Sequence, residues 1–342
     1  MVATQYLPPF RKVIAGPCSA ESESQIFETA LQLSKIGVKY YRAGLWKPRT
    51  FPNSFEGVGK IGLSWLKKVQ KELKLKVGTE VANKEHVIDV LRAKLDFIWI
   101  GARTATNPFA VQEIAEALHN VDMLVLVKNP IVTDIDLWCG AIERLSNAGV
   151  KNIIAVHRGF SSENSTFRNA PQWYIPIEFK RRKPEIPLLC DPSHIAGDGI
   201  LVEQVVMQAH QLNFDGLMIE VHHNPKIALS DAKQQITPYK LKQILNKIKT
   251  GINTDNNKIL SVFRAKIDEL DKMLLDILSQ RMEISRKIGI YKKENNISVL
   301  QSSRYEEVVK NCLLYAKEKE LSADFIKQLL EIIHQESINV QF

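Results

Sequence analysis

The sequence predicts an α/β protein: a (β/α)8 TIM barrel followed by a small all-α domain of three helices that dimerises. Three observations predict this. Over residues 1–250, eight short apolar runs start about 21 to 36 residues apart, the length of one strand plus one helix. The runs are mostly continuous rather than alternating, as in strands buried on both faces. Beyond residue 258 the strand rhythm stops, and apolar residues recur at helical spacing to the C-terminus. A doubly wound open sheet competes with the barrel, but such sheets rarely need eight units this regular.

Taken in order, the strands fall near Val13–Ser19, Tyr40–Gly44, Lys76–Ala82, Phe97–Ala102, Leu124–Asn129, Ile153–Arg158, Pro187–Ser193 and Gly216–His222. Ser22–Ile36, Asn83–Ala93, Asn107–Leu118 and Gly197–Leu212 have the apolar spacing of amphipathic helices. The polar stretch 251–258, rich in Asn with one Gly, separates a barrel (1–250) from a helical domain (259–342). Val262, Phe263, Ile267, Leu270, Leu274, Ile277 and Ile288 repeat along Ile259–Lys293, which would make a helix about 50 Å long. Arg304–Lys319 and Ala323–Asn339 complete the domain. Eighty-four residues cannot cover so long a helix, so pairing with a second copy is expected to bury its far end.

Apolar residues make up 45% of the 342 and charged residues 25%, which excludes a disordered chain. The longest apolar runs are a few residues, far below the roughly 20 of a membrane span. The N-terminal segment lacks the charged-then-apolar order of a secretory signal. Four cysteines are too few for a disulfide scaffold, so a reduced cytoplasmic protein is expected. The net charge of +8 lies entirely before Ile259, because the helical domain balances 13 basic against 13 acidic residues. The neutral helical domain speaks against nucleic-acid binding.

In a (β/α)8 barrel, reactive groups sit at the C-terminal ends of the strands. Arg42, Lys47, Arg49, Arg103, Lys128 and Arg158 all fall at or just beyond such ends and converge on one mouth. A concave ring of Arg and Lys suits phosphate and carboxylate groups. It does not suit a nucleic-acid duplex, which needs a convex basic stripe. Cys18, His194 and Glu220 end strands 1, 7 and 8, and Asp231 follows strand 8. Closure of the barrel makes these ends neighbours. One thiol, one imidazole and two carboxylates suit one divalent metal such as Mn²⁺, Fe²⁺, Co²⁺ or Zn²⁺. Singly, each of these residues has an ordinary structural reading; their shared location carries the inference.

The motifs Ala15-Gly-Pro-Cys-Ser-Ala-Glu21, Arg42-Ala-Gly44, Lys47-Pro-Arg-Thr50, Gly101-Ala-Arg103, Lys128-Asn-Pro130, His157-Arg-Gly159, Asp191-Pro-Ser-His194 and Glu220-Val-His-His-Asn-Pro225 together resemble 3-deoxy-D-arabino-heptulosonate 7-phosphate (DAHP) synthase. The resemblance is to its compact type, close to 3-deoxy-manno-octulosonate 8-phosphate synthase. It implies a metal-dependent condensation of phosphoenolpyruvate with erythrose 4-phosphate. By resemblance, Cys18, His194, Glu220 and Asp231 are the metal ligands, with Mn²⁺ the favoured ion. Arg103, Lys128 and Arg158, with Arg42 close by, would hold phosphoenolpyruvate. Lys47 would stand between the substrates as the catalytic proton donor, and Arg49 and Thr50 would bind erythrose 4-phosphate. The sister family, which is the alternative, uses arabinose 5-phosphate and carries an Asn-containing motif where this chain has Lys47-Pro-Arg-Thr50, and that difference favours the erythrose substrate. Trp99 departs from the Gln common at that position.

On the long helix, Arg281 and Lys292 are 11 residues apart, about 20° from one face. Arg264 lies 17 residues before Arg281, about 25 Å away and on another face. It suits a partner's pocket better than its own. Arg264-x-x-Ile-Asp-x-Leu-Asp271, Arg281, Ile288-Gly-x-x-Lys292, Arg304 and Ser337-x-x-x-Gln341 resemble the all-helical chorismate mutase, in which two intertwined chains form each site. The resemblance implies that Arg281, Arg304 and Ser337 bind chorismate with the partner's Arg264, while Lys292 and Gln341 attend the separating ether oxygen. Tyr305 and Gln301 stand where free-standing mutases usually have Glu and Asp. Together the resemblances imply a bifunctional enzyme whose helical domain rearranges chorismate to prephenate. Either compound is a candidate feedback inhibitor of the barrel. A helical domain that only dimerises and binds ligand is the alternative.

Overall fold

Eight parallel strands close on themselves in order, β1 to β8, in the computed structural model, which describes residues 10–47, 55–161, 166–249, 257–298 and 302–342. The barrel runs β1 (Lys12–Gly16), α1 (Glu23–Lys35), β2 (Tyr40–Arg42), α2 (Ile61–Leu73), β3 (Lys76–Val81), α3 (Lys84–Ala93), β4 (Phe97–Ile100), α4 (Ala102–Ala105), α5 (Pro108–Ala117), β5 (Leu124–Lys128), α6 (Ile135–Asn147), β6 (Asn152–His157), α7 (Tyr174–Arg182), β7 (Leu188–Cys190), α8 (Pro192–Ala196), α9 (Val202–Gln211), β8 (Gly216–Glu220) and α10 (Pro238–Lys249). The chain divides into two compact units, residues 1–253 and 254–342. The second contains α11 (Asn257–Glu294), α12 (Ser302–Glu318) and α13 (Ala323–Asn339). Among the described residues no helix is long and apolar enough to cross a membrane.

Closure is made by β1 and β8, with Gly16 opposite Glu220. That register brings the end of the first strand beside the end of the last, although about 200 residues separate them in sequence. Inside the barrel, Ile14, Phe97, Trp99, Leu126, Ile154, Val156, Leu189 and Met218 form the inner core. A second core fills the layer between strands and outer helices. Each fully buried Leu or Ile contributes about 1.5–3 kcal/mol by leaving water. Helices α1, α3, α5 and α6 begin on short polar caps: Ser22, Asn83, Asn107 and Asp134 each accept a hydrogen bond from a first-turn N–H.

The strands are shorter at their C-terminal ends than the sequence suggests. Beyond Gly16 and Arg42, pairing continues only as an isolated bridge between Ser19 and Gly44. The segments beyond these ends form the mouth, still joined by Gly44 N–H to Cys18 O and Ala20 N–H to Gly44 O. The expected strand through Ser193 stops at Cys190, because Asp191 caps α8 by accepting from His194 N–H. The expected helix from Gly197 begins instead at Val202. Gly197 is the left-handed end of α8, at φ +69°, a conformation suited to glycine.

Candidate active site

The mouth of the barrel encloses a cavity of about 280 Å³. Its lining includes Lys47, Glu80, Arg103, Lys128, Arg158 and Arg168, with His194 and Asp231 on one side. A larger groove of about 720 Å³ lies outside, between α5 and α6, and gathers no such chemistry.

Cys18 follows β1 and is fully buried. Its thiol donates to Asp231 Oδ2 at 3.2 Å and accepts from Lys47 Nζ at 3.0 Å. Burial, reinforced by the Glu220 charge, pushes the thiol pKa up to about 12. Lys47 feels the same desolvation, but Cys18, Glu80 and Glu220 outweigh it and hold the amine protonated. Burial likewise opposes ionisation of Glu220; the attraction of His194 and Arg42 prevails, and its pKa is lowered. Ligand atoms of Cys18, Glu220 and Asp231 all lie within 4.8 Å of one another. His194 stands at the edge of this set, its Nε2 3.8 Å from Glu220 Oε1 and its Nδ1 2.9 Å from Asp191 Oδ2. A thiol, two carboxylates and an adjoining imidazole make a donor set suited to one divalent transition metal.

Opposite this cluster lies the cationic wall. Lys128 Nζ donates to Asp191 Oδ2 at 2.7 Å. Burial works against the Asp191 charge, but His194 and Lys128 hold its pKa well below the usual range. Arg158 donates its backbone N–H to Asn129 Oδ1 at 2.7 Å and its guanidinium to Asn169 Oδ1 at 2.8 Å. Burial lowers the Arg158 pKa to about 10, so an incoming anion would relieve an unfavourably desolvated cation. Asn169 also donates to His194 O at 2.6 Å, which ties the cationic wall to the thiol–carboxylate side. Arg103 lines the cavity from α4.

Arg42 lies beneath the mouth rather than on its lining. It is fully buried, donates to Glu220 Oε1 at 3.2 Å, and stacks on the Trp99 ring at 4.7 Å. The Trp99 indole donates to Glu80 Oε2 at 3.1 Å. Arg49 and Thr50 lie outside the described residues.

The sequence reading missed Glu80, Arg168 and Asn169 on the lining and Gln234 behind it. Glu80 was accessible, since it nears the C-terminal end of β3 by the rule that found the others. Arg168 and Asn169 sit in a long loop after β6, where no strand end announces them. Gln234 belongs to a short 3-10 turn, Ala232–Gln234, that starts at Asp231.

In the helical unit, Arg281, Ser337 and Gln341 come together. Arg281 Nη1 donates to Ser337 Oγ, and Gln341 Nε2 donates to Ser337 O at 2.8 Å. Among the described residues, Gln341 Oε1 is buried without a hydrogen-bond partner. Lys292, nearly buried, lies one turn beyond Gly289, which packs directly on Gln341. Arg304 pairs with Glu307 at 2.7 Å on an exposed face, and Arg264 is exposed near the start of α11, 17 residues before Arg281. Tyr305 stacks on His334, with ring centroids 4.1 Å apart. Gln301 lies outside the described residues.

A closed (β/α)8 barrel with a cationic mouth beside a thiol–carboxylate cluster defines a protein built to receive small, highly charged anions. The family comparisons make this specific. The chain belongs to the DAHP synthetase I family, whose model matches residues 10–254, and residues 263–342 match chorismate mutase type II. It is 34% identical over 237 residues to a phospho-2-dehydro-3-deoxyheptonate aldolase of Thermotoga maritima, covering 69% of this chain and 68% of that one. A crystal structure of the DAHP synthase from Thermotoga maritima superposes with a TM-score of 0.64 at 30% identity, over 73% of this chain and 77% of that one. A 2-dehydro-3-deoxyphosphooctonate aldolase of Desulfotalea psychrophila is 27% identical over 256 residues, or 69% and 88% of the two chains.

Proposed function

We propose that the barrel condenses phosphoenolpyruvate with erythrose 4-phosphate and water to give DAHP and phosphate, and that the helical unit rearranges chorismate to prephenate. One observation carries the first part: Lys47 donates to Cys18 of the Cys18–Glu220–Asp231 cluster and lines the same small cavity as Arg103, Lys128 and Arg158. Arg103, Lys128 and Arg158 bind the phosphate and carboxylate of phosphoenolpyruvate, with Arg42 holding Glu220 from below. Arg49 and Thr50 take the phosphate of the aldehyde substrate. The enol carbon attacks the aldehyde carbon, and Lys47 protonates the new alkoxide. Water adds to the former enol C2, and phosphate leaves as the C–O bond breaks. A divalent metal held by Cys18, His194, Glu220 and Asp231, with Mn²⁺ favoured over Fe²⁺, Co²⁺ and Zn²⁺, would polarise the aldehyde or orient the water.

Chorismate rearrangement needs no acid or nucleophile, only a held conformer and complementary charge. Arg281, Arg304 and Ser337 bind the dianion with the partner's Arg264, and Lys292 and Gln341 face the ether oxygen. The donor available to that oxygen is the second N–H of Gln341 Nε2, since the first goes to Ser337 O. The helical unit pairs with a second copy. This is supported by the exposure of Ile267, Leu270, Leu274, Ile277 and Ile284 along α11. The domains are those expected, 1–250 and 259–342, except that α11 begins at Asn257 and shortens the expected 251–258 linker from its C-terminal side. The enzyme works in the cytoplasm and takes prephenate or chorismate as a feedback inhibitor.

Phosphate release from phosphoenolpyruvate and erythrose 4-phosphate tests the synthase reading, with and without chelator and with added prephenate. Chelator-sensitive release is expected, with slower release when prephenate is present. Release with arabinose 5-phosphate alone would favour the phosphooctonate reading, to which the lower identity of that relative and the Lys47-Pro-Arg-Thr50 motif give less support.

A further inference from the structure

We propose that Arg168 and Gln234 are positioning residues for the divalent metal, each fixing a carboxylate oxygen that the metal does not take. The inference rests on the metal reading above and names residues of this chain that would tune it. Gln234 Nε2 donates to Glu220 Oε2 at 2.6 Å. Gln234 Oε1 accepts from Arg168 Nη1 at 2.6 Å, and the same nitrogen donates to Asp231 Oδ1 at 3.0 Å. The two carboxylates are therefore joined through one amide and one guanidinium. Each keeps its other oxygen for the cluster: Asp231 Oδ2 faces Cys18 Sγ at 3.2 Å, and Glu220 Oε1 faces Arg42 and His194 at 3.2 and 3.8 Å.

The polarity of this chain of bonds is fixed. A guanidinium only donates and a carboxylate only accepts, so the intervening side chain must accept on one side and donate on the other. Glutamine does both. Gln234 is buried, with 1% of its surface exposed, and has no room to turn. The backbone also makes space for Arg168. A Cβ at Gly197 would lie 2.3 Å from Arg168 Cβ, so the left-handed glycine ending α8 permits the approach. Asp231 is likewise held in a left-handed conformation at φ +46°, where it starts the turn carrying Gln234.

Arg168 brings a positive charge near the metal, which opposes binding. Its side chain is half exposed, so solvent screens that repulsion, and the loss of orientation dominates when it is removed.

The test is Mn²⁺ titration of the full-length chain, following the magnetic-resonance signal of free Mn²⁺, for wild type, Gln234→Leu and Arg168→Met. Both variants are expected to bind Mn²⁺ about 10- to 100-fold more weakly. Gln234→Leu should keep wild-type affinity for phosphoenolpyruvate without metal, and both should keep the wild-type unfolding temperature within a few degrees. Wild-type Mn²⁺ affinity in both variants would overturn the proposal. So would a loss matched by lost phosphoenolpyruvate binding or lost cooperative unfolding, which would assign these residues to the fold. A wild-type protein that takes up none of the four candidate metals would bring down the metal reading itself.

Discussion

Lys47 Nζ lies 3.0 Å from Cys18 Sγ and stays protonated because its anionic neighbours outweigh its burial. In the proposed reaction the proton donor to the nascent alkoxide acts in the transition state, whereas Arg158 and Lys128 are assigned to binding. Lys47→Met is therefore expected to lower kcat by about 10²- to 10⁴-fold while changing the KM for phosphoenolpyruvate far less. Steady-state phosphate release measures both, and a loss confined to KM would make Lys47 a binding group. At this scale the sequence revealed those residues whose chemistry and strand-end position coincide, such as Cys18, Lys128 and Arg158. It did not reveal what supports them. Trp99 registered only as an unusual residue. Its use depends on β3–β4 register, which sets Glu80 opposite Trp99, and on the strand ends that bring Arg42 over its ring. Neither is written in local composition.

Strands and helices were legible for a different reason: a strand buried on both faces must be continuously apolar, and Phe97–Ile100 and Gly216–Glu220 are buried throughout. Their ends were less legible, because where regular pairing stops at the mouth depends on close backbone contacts between neighbouring strands. Gly16 shows the constraint. A Cβ there would lie 2.0 Å from the backbone oxygen of Arg42, which cannot swing aside as a side chain can. Gly16→Ala is expected to cost about 1–3 kcal/mol or more by overpacking. It should also weaken Mn²⁺ binding, since Cys18 and Arg42 flank the forced gap. Gly140 in α6 is the opposite case, with nothing within 4 Å of its added Cβ. Gly140→Ala should stabilise the protein by about 0.5–1 kcal/mol by restricting the unfolded chain. Chemical denaturation of the two variants beside wild type measures both signs, and equal effects would refute the packing argument.

Across the whole molecule, acid sensitivity follows from a group that no metal or substrate role marks. His157, at the end of β6, is fully buried among Trp138, Phe160, Trp173 and Phe214. Burial lowers its pKa from 6.5 to about 3. The unfolded chain therefore takes up a proton below pH 6.5 that the folded chain refuses until about pH 3. The stability due to its neutrality is complete above 6.5 and is lost as pH falls through that window, with a limiting slope of about 1.4 kcal/mol per pH unit. His157→Phe should flatten the slope of unfolding free energy against pH by about that amount, whatever its offset in absolute stability. The net charge of +8 was legible as a cationic mouth because the helical unit is neutral. The proposed pairing rests on apolar surface along a helix too long for its domain: α11 runs 38 residues, with Ile267 and Leu275 more than half exposed. If two copies pair along α11, Arg264 has a role its own chain cannot use, being about 25 Å from Arg281 along the same helix. Two inactive chains should then restore each other. In a mixed dimer of Arg264→Ala and Lys292→Ala chains, one site combines the intact Lys292 of the first with the intact Arg264 of the second, and the other site loses both. Equal mixing after dissociation makes half the dimers mixed, so chorismate mutase activity should return to about one quarter of wild type. Were Arg264 to serve the site of its own chain, every site in the mixture would lack one residue and no activity would return.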